Sequence, residues 1–411
     1  MNRAINVNSE IGNLKSILLH RPGKEIENIT PDTMERMLFD DVPYQKIAAE
    51  EHNYFAKVLQ DKGIETVYVE DLLEDVLQDE AIRNQFLDTY LAEHFYTGAA
   101  ATDIKSYFAT LSVHELVTAI YAGLRRGVVD FKHPSLHDIS GSDANNPFIL
   151  DPLPNAYFTR DPQAMIGSGL TINHMTFAAR KPESLITDYI MKYHPRFKNQ
   201  VDIWLDRSID SRIEGGDELV LNDHTLAIGA SQRTSTRSIE KLAKALFDSP
   251  HSKFDTVVAI EIPHNHAMMH LDTVFTMVNY DQFTVFPGIM DEAGKMNINI
   301  LHPGKDGDIV IEHRTDLMAT LKEVLGLSEI DLIETGDGDP VISEREQWND
   351  GSNNLAIKPG EVVTYDRNYV SIELMEKHGI KVNQIRSSEL ARGRGGARCM
   401  SQPIFREDLT K

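Results

Sequence analysis

The chain repeats one order of secondary structure along most of its length. After residue 157, four successive segments each predict two short strands joined by a turn, then a helix, then a third strand. These segments span residues 157–205, 218–260, 273–333 and 354–385. Repeats of this kind indicate similar units packed side by side in a closed radial array.

The N-terminal segment predicts a further unit. Residues 14–20 are mostly apolar and end at Arg21-Pro22-Gly23, which indicates a buried strand. Apolar residues at helical spacing follow between residues 47 and 59, and residues 64–69 are rich in β-branched and aromatic side chains. The order here is strand, helix, strand, and we expect about five similar α/β units in all.

Between the first unit and the others, the pattern becomes helical. Residues 79–95 and 112–127 carry apolar side chains at helical spacing, and Ser112 with Glu115 predicts a capping box. Residues 142–154 are crowded with Pro, Asn and Asp, which is typical of a junction. We therefore predict two domains. The α/β domain takes residues 1–72 and 148–411, and an all-helical insertion takes residues 73–147.

Composition narrows the class of protein. The chain has 41 Lys and Arg against 63 Asp and Glu, a formal charge of −22, which argues against nucleic acid as a partner. One cysteine in 411 residues excludes an internal disulfide framework and favours a reducing compartment. Residues 1–23 do not resemble a signal peptide, and no run reaches the ~18 apolar residues of a membrane span. We expect a cytoplasmic protein that does not bind a membrane.

The single cysteine lies in an unusual segment, Gly-Arg-Gly-Gly-Ala-Arg-Cys-Met-Ser-Gln-Pro at residues 393–403. Cys399 has Arg392, Arg394 and Arg398 beside it in sequence, and nearby positive charge favours a reactive thiolate. The glycines allow close approach of the backbone to a small ligand. The alternative is a buried, inert cysteine, since free cysteine is among the most buried residue types.

Three acidic clusters stand at comparable places in successive units, at residues 155–162, 214–217 and 270–272. In a radial array these places converge on one axis. Carboxylates gathered in a dry pocket repel each other unless a cation joins them, and the planar guanidinium group matches paired carboxylates. Any one of these acids taken alone is explained equally well as a turn former or a helix cap, without a binding site. Three clusters in register favour a shared site.

His270 can transfer protons near neutral pH, and with Cys399 it forms the nucleophile and base of covalent catalysis. Zinc is the alternative, because His264, His266 and His270 form an H-x-H-x-x-x-H run. No second cluster of ligands is evident, so we expect no metal and no cofactor, with His264 and His266 in a loop. Residues 336–339 lack the lysine and hydroxyl of a phosphate-binding loop and predict a tight turn.

Taken together, six motifs resemble the arginine deiminase family, which belongs to the guanidino-group-modifying superfamily. They are HRPG at residues 20–23, LFDD at 38–41, FTRDP at 158–162, EGGD at 214–217, HLDT at 270–273 and GRGGARCMSQP at 393–403. The resemblance runs over nearly the whole chain and includes the helical insertion. It implies a five-bladed pseudo-symmetric α/β propeller of ββαβ units with an inserted all-helical domain.

The resemblance also implies an activity, hydrolysis of L-arginine to L-citrulline and ammonia, the first step of arginine catabolism by the deiminase pathway. On that pattern Cys399 attacks the guanidinium carbon, while Asp161 and Asp272 hold the guanidinium nitrogens. Glu214 binds substrate and orients His270, which protonates the departing ammonia and then activates water. We also expect a homo-oligomer, a dimer or higher.

Other residues match the family's substrate-binding positions. Three match positions that hold the α-carboxylate of the substrate, four match pocket-lining or gating positions, and one lies in the EGGD motif. The α-carboxylate positions are Asn155, Arg180 and Arg233. The pocket-lining or gating positions are Phe158, Leu38, Gly393 and Arg394. The residue in the EGGD motif is Asp217.

Two alternatives remain. One is another guanidine-modifying enzyme, such as an agmatine deiminase or an amidinotransferase. The other is a non-catalytic binding protein on the same scaffold. Arg180 and Arg233 favour a substrate that carries a carboxylate, and the complete set of Cys, His, Asp and Glu favours catalysis over binding alone.

Overall fold

One order of strands recurs in five sheets of the computed structural model, which describes residues 4–134, 136, 146–290 and 295–409. In each of these sheets the middle strand pairs antiparallel with one neighbour and parallel with the other. An antiparallel pair needs only a short turn, whereas the parallel partner needs a crossover helix. The three strands of each predicted unit are therefore hydrogen-bonded to one another, as the order strand, strand, helix, strand requires.

The strands of the five sheets follow this order, with the middle strand second. They are Gln402–Arg406, Leu14–Leu19 and Glu65–Tyr68; Gln163–Ile166, Gly169–Ile172 and Asp202–Leu205; Glu218–Val220, Thr225–Ala230 and Thr256–Glu261; Phe275–Met277, Gln282–Val285 and Asp331–Glu334; and Leu355–Lys358, Glu361–Tyr365 and Lys381–Ile385. Strands Ile298–Pro303 and Ile309–Arg314 extend the third sheet, and Leu124–Arg125 pairs with Phe148–Leu150 in a separate ladder.

The C-terminal strand completes the N-terminal unit. Gln402–Arg406 pairs antiparallel with Leu14–Leu19. The N-terminal segment was predicted with one strand fewer than the other units, and Gln402–Arg406 is the missing strand. The N-terminal residues then join this sheet to the next one. The backbone N–H of Asn6 donates to the carbonyl of Ile404 at 3.0 Å, and Val7 exchanges hydrogen bonds of 2.9 and 2.7 Å with Gly167.

The α-helices fall into three groups. Five connect strands within the units: Gln45–Asp61, Lys181–Tyr193, Thr236–Asp248, Leu317–Leu325 and Tyr369–Lys377. Four form the helical segment: Val69–Leu77, Glu80–Glu93, Gly98–Phe108 and Val113–Ala122. The remaining described ones are Lys24–Glu27, Leu271–Val274 and Pro340–Trp348.

The helical segment packs on the second unit. The ring of Phe86 meets Tyr189 of helix Lys181–Tyr193 edge-on, with centroids 5.1 Å apart. Ser112 and Glu115 form the predicted capping box. The first helix, Val69–Leu77, starts four residues before the predicted boundary at residue 73. Residues 135 and 137–145 of the predicted insertion lie outside the described residues.

A hairpin and a helix in the C-terminal half were also not predicted. The hairpin Ile298–Pro303 and Ile309–Arg314 lies in a long connection that the sequence analysis passed over. Helix Pro340–Trp348 follows the turn at residues 336–339, with Asp339 as N-cap and proline at its first position. Within the described part of the chain, every helix is too short or too polar to cross a membrane.

The C-terminal strand gives a direct test of this arrangement. Ile404 is completely buried in it, whereas Ile311 in an edge strand is 51% exposed. We expect Ile404→Ala to lower the free energy of unfolding by about 2–5 kcal/mol, because it leaves a cavity in the core. The matched control Ile311→Ala should cost less than about 1 kcal/mol. Equal shifts in thermal midpoint for the two variants would contradict the pairing.

Candidate active site

The catalytic candidates singled out in the sequence lie at equivalent places in four of the five units, in the segment that enters the first strand of each. Asp161 precedes Gln163–Ile166, and Glu214 precedes Glu218–Val220. His270 and Asp272 precede Phe275–Met277 in the next unit. Cys399 precedes Gln402–Arg406 in the unit that the chain ends share. All five side chains are buried, so their polar atoms face one another rather than bulk water.

The sulfur of Cys399 lies against a carboxylate. Its Sγ atom is 3.6 Å from Oδ2 and 3.9 Å from Oδ1 of Asp272. The side-chain amide of Asn353 donates to the same sulfur at 3.1 Å. Burial, followed by the charges of Asp272 and Asp161, raises the pKa of Cys399 well above the ordinary thiol value. The thiol is therefore protonated at neutral pH in the absence of a cationic ligand.

The arginines beside Cys399 in sequence bind other groups. Arg398 donates to Asp272 at 2.7 Å and to Glu10 at 3.0 Å. Arg394 stacks its guanidinium on Trp348, 3.5 Å from the ring centroid. Arg398 does favour the thiolate, as the sequence suggested, but burial and the carboxylates outweigh its charge. The side chain of Arg394 is directed to Trp348 instead.

His270 lies between two carboxylates. Its Nε2 is 2.8 Å from Oε2 of Glu214, and its Nδ1 is 3.8 Å from Oδ1 of Asp161. Burial lowers the pKa of His270, but the charge of Asp161 and the hydrogen bond to Glu214 outweigh it and raise the pKa to about 9. Its imidazole therefore carries a proton at neutral pH.

The loop that carries His270 is fixed by Asp217. One oxygen of this carboxylate accepts the backbone N–H of Leu271 at 2.8 Å, and the other accepts the Ser231 hydroxyl at 2.6 Å. Gly216 lies so close to the imidazole that a Cβ there would be 2.7 Å from its ring atoms. The ring orientation of His270 is therefore set by packing as well as by charge.

Arg180 and Arg233 are buried in ion pairs at the same site. Arg180 donates to Asp161 at 2.6 Å and binds Glu183 through Nε and Nη2 at 3.0 and 2.8 Å. Arg233 lies 3.4 Å from Glu214, and its guanidinium stacks on Phe177 at 4.4 Å from the centroid. Each cation is therefore paired with one of the two carboxylates that flank His270, Arg180 with Asp161 and Arg233 with Glu214.

The remaining predicted positions form one wall. Asn155 donates to the carbonyl of Met37 at 2.8 Å, next to Leu38, whose backbone is left-handed with φ 64°. A Cβ at Gly393 would be 3.1 Å from the ring of Phe158, so only glycine fits against that ring without a shift. Arg394, also left-handed with φ 62°, follows directly.

One described cluster has the donor atoms that a metal ion could use. The ligand atoms of Asp161, Glu214 and His270 lie within 4.8 Å of one another. The zinc alternative drawn from the histidine run is different, and its members diverge: His266 pairs with Asp40 at 2.8 Å while His270 pairs with Glu214. While the ring of His270 is protonated it offers no lone pair to a metal. The two carboxylates can also accept hydrogen bonds from a guanidinium cation.

Comparison with known proteins decides the family. The family model described as arginine deiminase matches residues 35–406. An arginine deiminase from Lactococcus lactis subsp. lactis is 63% identical over 411 residues, covering all of both chains. One from Limosilactobacillus fermentum is 58% identical over 410 residues, again covering both chains completely. The chain belongs to the arginine deiminase family.

Solved structures with this fold have diverged far in sequence. An amidinotransferase of the saxitoxin pathway from Microseira wollei aligns with 99% of this chain and 99% of its own, at TM-score 0.58 and 12% identity. The N-terminal domain of the cyanobacterial arginine dihydrolase ArgZ aligns with 95% of this chain and 97% of its own, at TM-score 0.54 and 13% identity. At such identities these likenesses establish the fold alone, an α/β fold of mixed sheets.

Sequence reasoning missed several buried residues of this arginine deiminase family site. Glu183 binds Arg180, Glu10 binds Arg398, and Asn353 contacts the sulfur. Asp350 is buried as well, and burial raises its pKa to about 7. A signal for Asn353 was present, because its unit was the one without an assigned residue at the equivalent place. Glu10 and Glu183 carry no such signal, since acids of this kind are common in helices and loops.

The raised pKa of Cys399 has a measurable consequence. With no cationic ligand added, we expect alkylation of the protein by iodoacetamide to rise with a midpoint at higher pH than that of free cysteine, about 8.5. Only the thiolate reacts, and burial with Asp272 disfavours that form. Because the chain has a single cysteine, the incorporated label reports on Cys399 alone. A midpoint below that of free cysteine would contradict the arrangement.

Proposed function

We infer that this chain hydrolyses L-arginine to L-citrulline and ammonia, the first step of arginine catabolism by the deiminase pathway. The observation that carries this inference is the thiol of Cys399 held 3.6 Å from the Asp272 carboxylate, in a site where the charge of Asp161 and the hydrogen bond to Glu214 keep His270 protonated. A nucleophile, a proton donor and acidic groups for a cation meet in one buried place. The full-length relatives described above carry the name of this activity.

The substrate's guanidinium fits between acids. Asp272 lies 3.6 Å from the sulfur, and the charge of Asp161 also acts on the sulfur. Oδ1 of Asp161 is buried without a hydrogen-bond partner among the described residues. We propose that these two carboxylates fix the plane of the guanidinium with its carbon in line with the sulfur. Positioning of this kind can contribute about 7–11 kcal/mol toward the barrier. The same positive charge favours loss of the Cys399 proton.

The proposed covalent steps need neither a metal nor a cofactor. The thiolate of Cys399 forms a bond to the guanidinium carbon, and protonated His270 gives its proton to the departing nitrogen, so the C–N bond breaks and ammonia leaves. A cationic thiouronium remains on the sulfur. Neutral His270 then takes a proton from water, whose oxygen bonds to the carbon, and the C–S bond breaks. Citrulline forms, the thiolate returns, and the remaining hydroxyl proton joins ammonia as ammonium.

At the other end of the substrate we propose that Asn155, Arg180 and Arg233 hold the α-carboxylate. Both arginines are buried, and each already contacts a site carboxylate, Asp161 or Glu214. We propose that the pocket wall is completed by Leu38, Phe158, Gly393 and Arg394. Asp217, the carboxylate that fixes the His270 loop, supports the site from behind.

We also propose the finer architecture. The five sheets would form a five-bladed pseudo-symmetric α/β propeller, closed where Gln402–Arg406 joins Leu14–Leu19. Residues 1–72 and 148–411 would make this domain, with residues 73–147 as the helical insertion. We propose further that the protein is cytoplasmic and a homo-oligomer. Its shared interior site and acidic surface suit a small cationic substrate such as arginine.

The deciding experiment is a citrulline assay on the purified protein with arginine, run with and without a metal chelator. We expect citrulline and ammonia in equal amounts, no loss with the chelator, and no citrulline from Cys399→Ser. Turnover by Cys399→Ser at the wild-type rate would overturn the covalent mechanism. Loss of activity with the chelator would instead assign the cluster of Asp161, Glu214 and His270 to a metal.

Substrate choice tests the role of Arg180. We expect the ratio of kcat/KM for arginine over agmatine to fall about 10- to 100-fold in Arg180→Ala, because agmatine lacks the carboxylate and a charge-assisted hydrogen bond is worth about 1.5–3 kcal/mol. The variant also leaves Glu183 without its partner and so destabilises the fold. Unfolded protein lowers kcat/KM for both substrates by the same factor, so the ratio does not depend on the folded fraction. An unchanged ratio would remove Arg180 from the carboxylate site.

A further inference from the structure

The fifth unit, which holds strands Leu355–Lys358, Glu361–Tyr365 and Lys381–Ile385, also contributes a side chain to the site. Asn353 precedes strand Leu355–Lys358, the place where the other units carry Asp161, Glu214 or Cys399. It is completely buried, and its backbone N–H donates to the carbonyl of Asp350 at 2.9 Å. Gly396, which lies three residues before Cys399, packs against it, since a Cβ there would be 2.8 Å from Asn353. The side chain is therefore held in one position.

The chemistry of the contacts fixes which way its amide points. The backbone N–H of Cys399 donates to Oδ1 of Asn353 at 3.0 Å, so that atom must be the oxygen. The amide nitrogen then has two hydrogens to donate. One goes to the carbonyl of Asp272 at 3.0 Å and the other to Sγ of Cys399 at 3.1 Å. Every hydrogen-bonding group of this amide has a partner, and one of them is the reacting sulfur.

This donor matters because of the charges around the sulfur. Asp272, Asp161 and Asp350 act on Cys399 with the same sign as the thiolate and oppose its formation. Arg398 acts in the favourable direction, but its guanidinium is already bound to Asp272. A neutral N–H donor stabilises the thiolate without adding a charge that would repel a cationic substrate.

We propose that Asn353 is a catalytic residue, whose amide N–H donates to Cys399 Sγ and stabilises the thiolate as it forms its bond to the guanidinium carbon. The same bond stabilises the sulfur again when the C–S bond breaks and the electron pair returns to it. This inference rests on the proposed arginine hydrolysis. The oxygen of the same amide positions the cysteine backbone, so one side chain sets both the place and the charge of the nucleophile.

The test compares three variants for kcat, KM and the pH dependence of kcat. In Asn353→Ala, kcat should fall about 10- to 100-fold while KM for arginine changes by less than about threefold, since the lost bond goes to the sulfur and not to the substrate. The limb of the kcat profile at low pH should move to higher pH. Asn353→Asp keeps the shape and the oxygen but replaces the donor with a carboxylate, so its kcat should be no higher than that of the alanine variant.

The matched control is Asn354→Ala. Asn354 is an equally buried neighbour whose amide donates to Thr284 at 3.0 Å and to the carbonyl of Gly351 at 3.2 Å. We expect its kcat and pH profile to stay close to wild type once the folded fraction is corrected by circular dichroism. Equal losses in Asn353→Ala and Asn354→Ala, or a pH profile that does not move, would overturn the inference.

Three other experimental outcomes are possible. If neither Asn353 variant folds, the residue holds the fold rather than serving the reaction, and the inference fails. If wild-type protein makes no citrulline, the proposed function itself fails. Active wild type with a fully active Asn353→Ala overturns only the role of Asn353.

Discussion

The contact between a thiol and a carboxylate governs this site. Cys399 lies 3.6 Å from Asp272 in a buried place, and like charges there cannot both ionise without large cost. On the proposed mechanism, the site is therefore inactive toward neutral electrophiles and becomes reactive when a cation enters. A flat guanidinium satisfies this requirement, because it neutralises the acids and presents its carbon to the sulfur. Selectivity and activation thus come from one electrostatic arrangement.

The repeated units explain how such an arrangement can be built. Asp161, Glu214 and Cys399 come from three different units, and His270 and Asp272 share a fourth, all in the segment before the first strand. A strand-entry segment is held by the sheet behind it, so each side chain has little freedom. Glu10 and Arg398 extend the arrangement one layer outward, since Arg398 binds both Glu10 and Asp272 and keeps that carboxylate in place. The pairing of chain ends through Gln402–Arg406 brings the cysteine into register with the other units.

Much of this could be predicted from sequence. The periodicity of strands and helices predicted the units, and the converging acids with His270 and Cys399 were identified before any contact was known. The C-terminal strand was missed because Gln402–Arg406 pairs with residues nearly 400 positions earlier, and no local pattern reveals such a partner. The directions of Arg394 and Arg398 were missed because a left-handed residue at Arg394 turns consecutive side chains apart. Asn353 was missed because a neutral amide carries no charge pattern.

The most direct measurement is the ultraviolet absorbance of the thiolate, followed as a function of pH in wild type minus Cys399→Ala. The titration is run with millimolar guanidinium ion and, separately, with sodium at the same ionic strength. We predict that guanidinium moves the midpoint of the Cys399 titration to lower pH by about one unit or more, because an opposite charge within a few ångströms favours the ionised form. A midpoint that is the same in both salts, or higher with guanidinium, would contradict it.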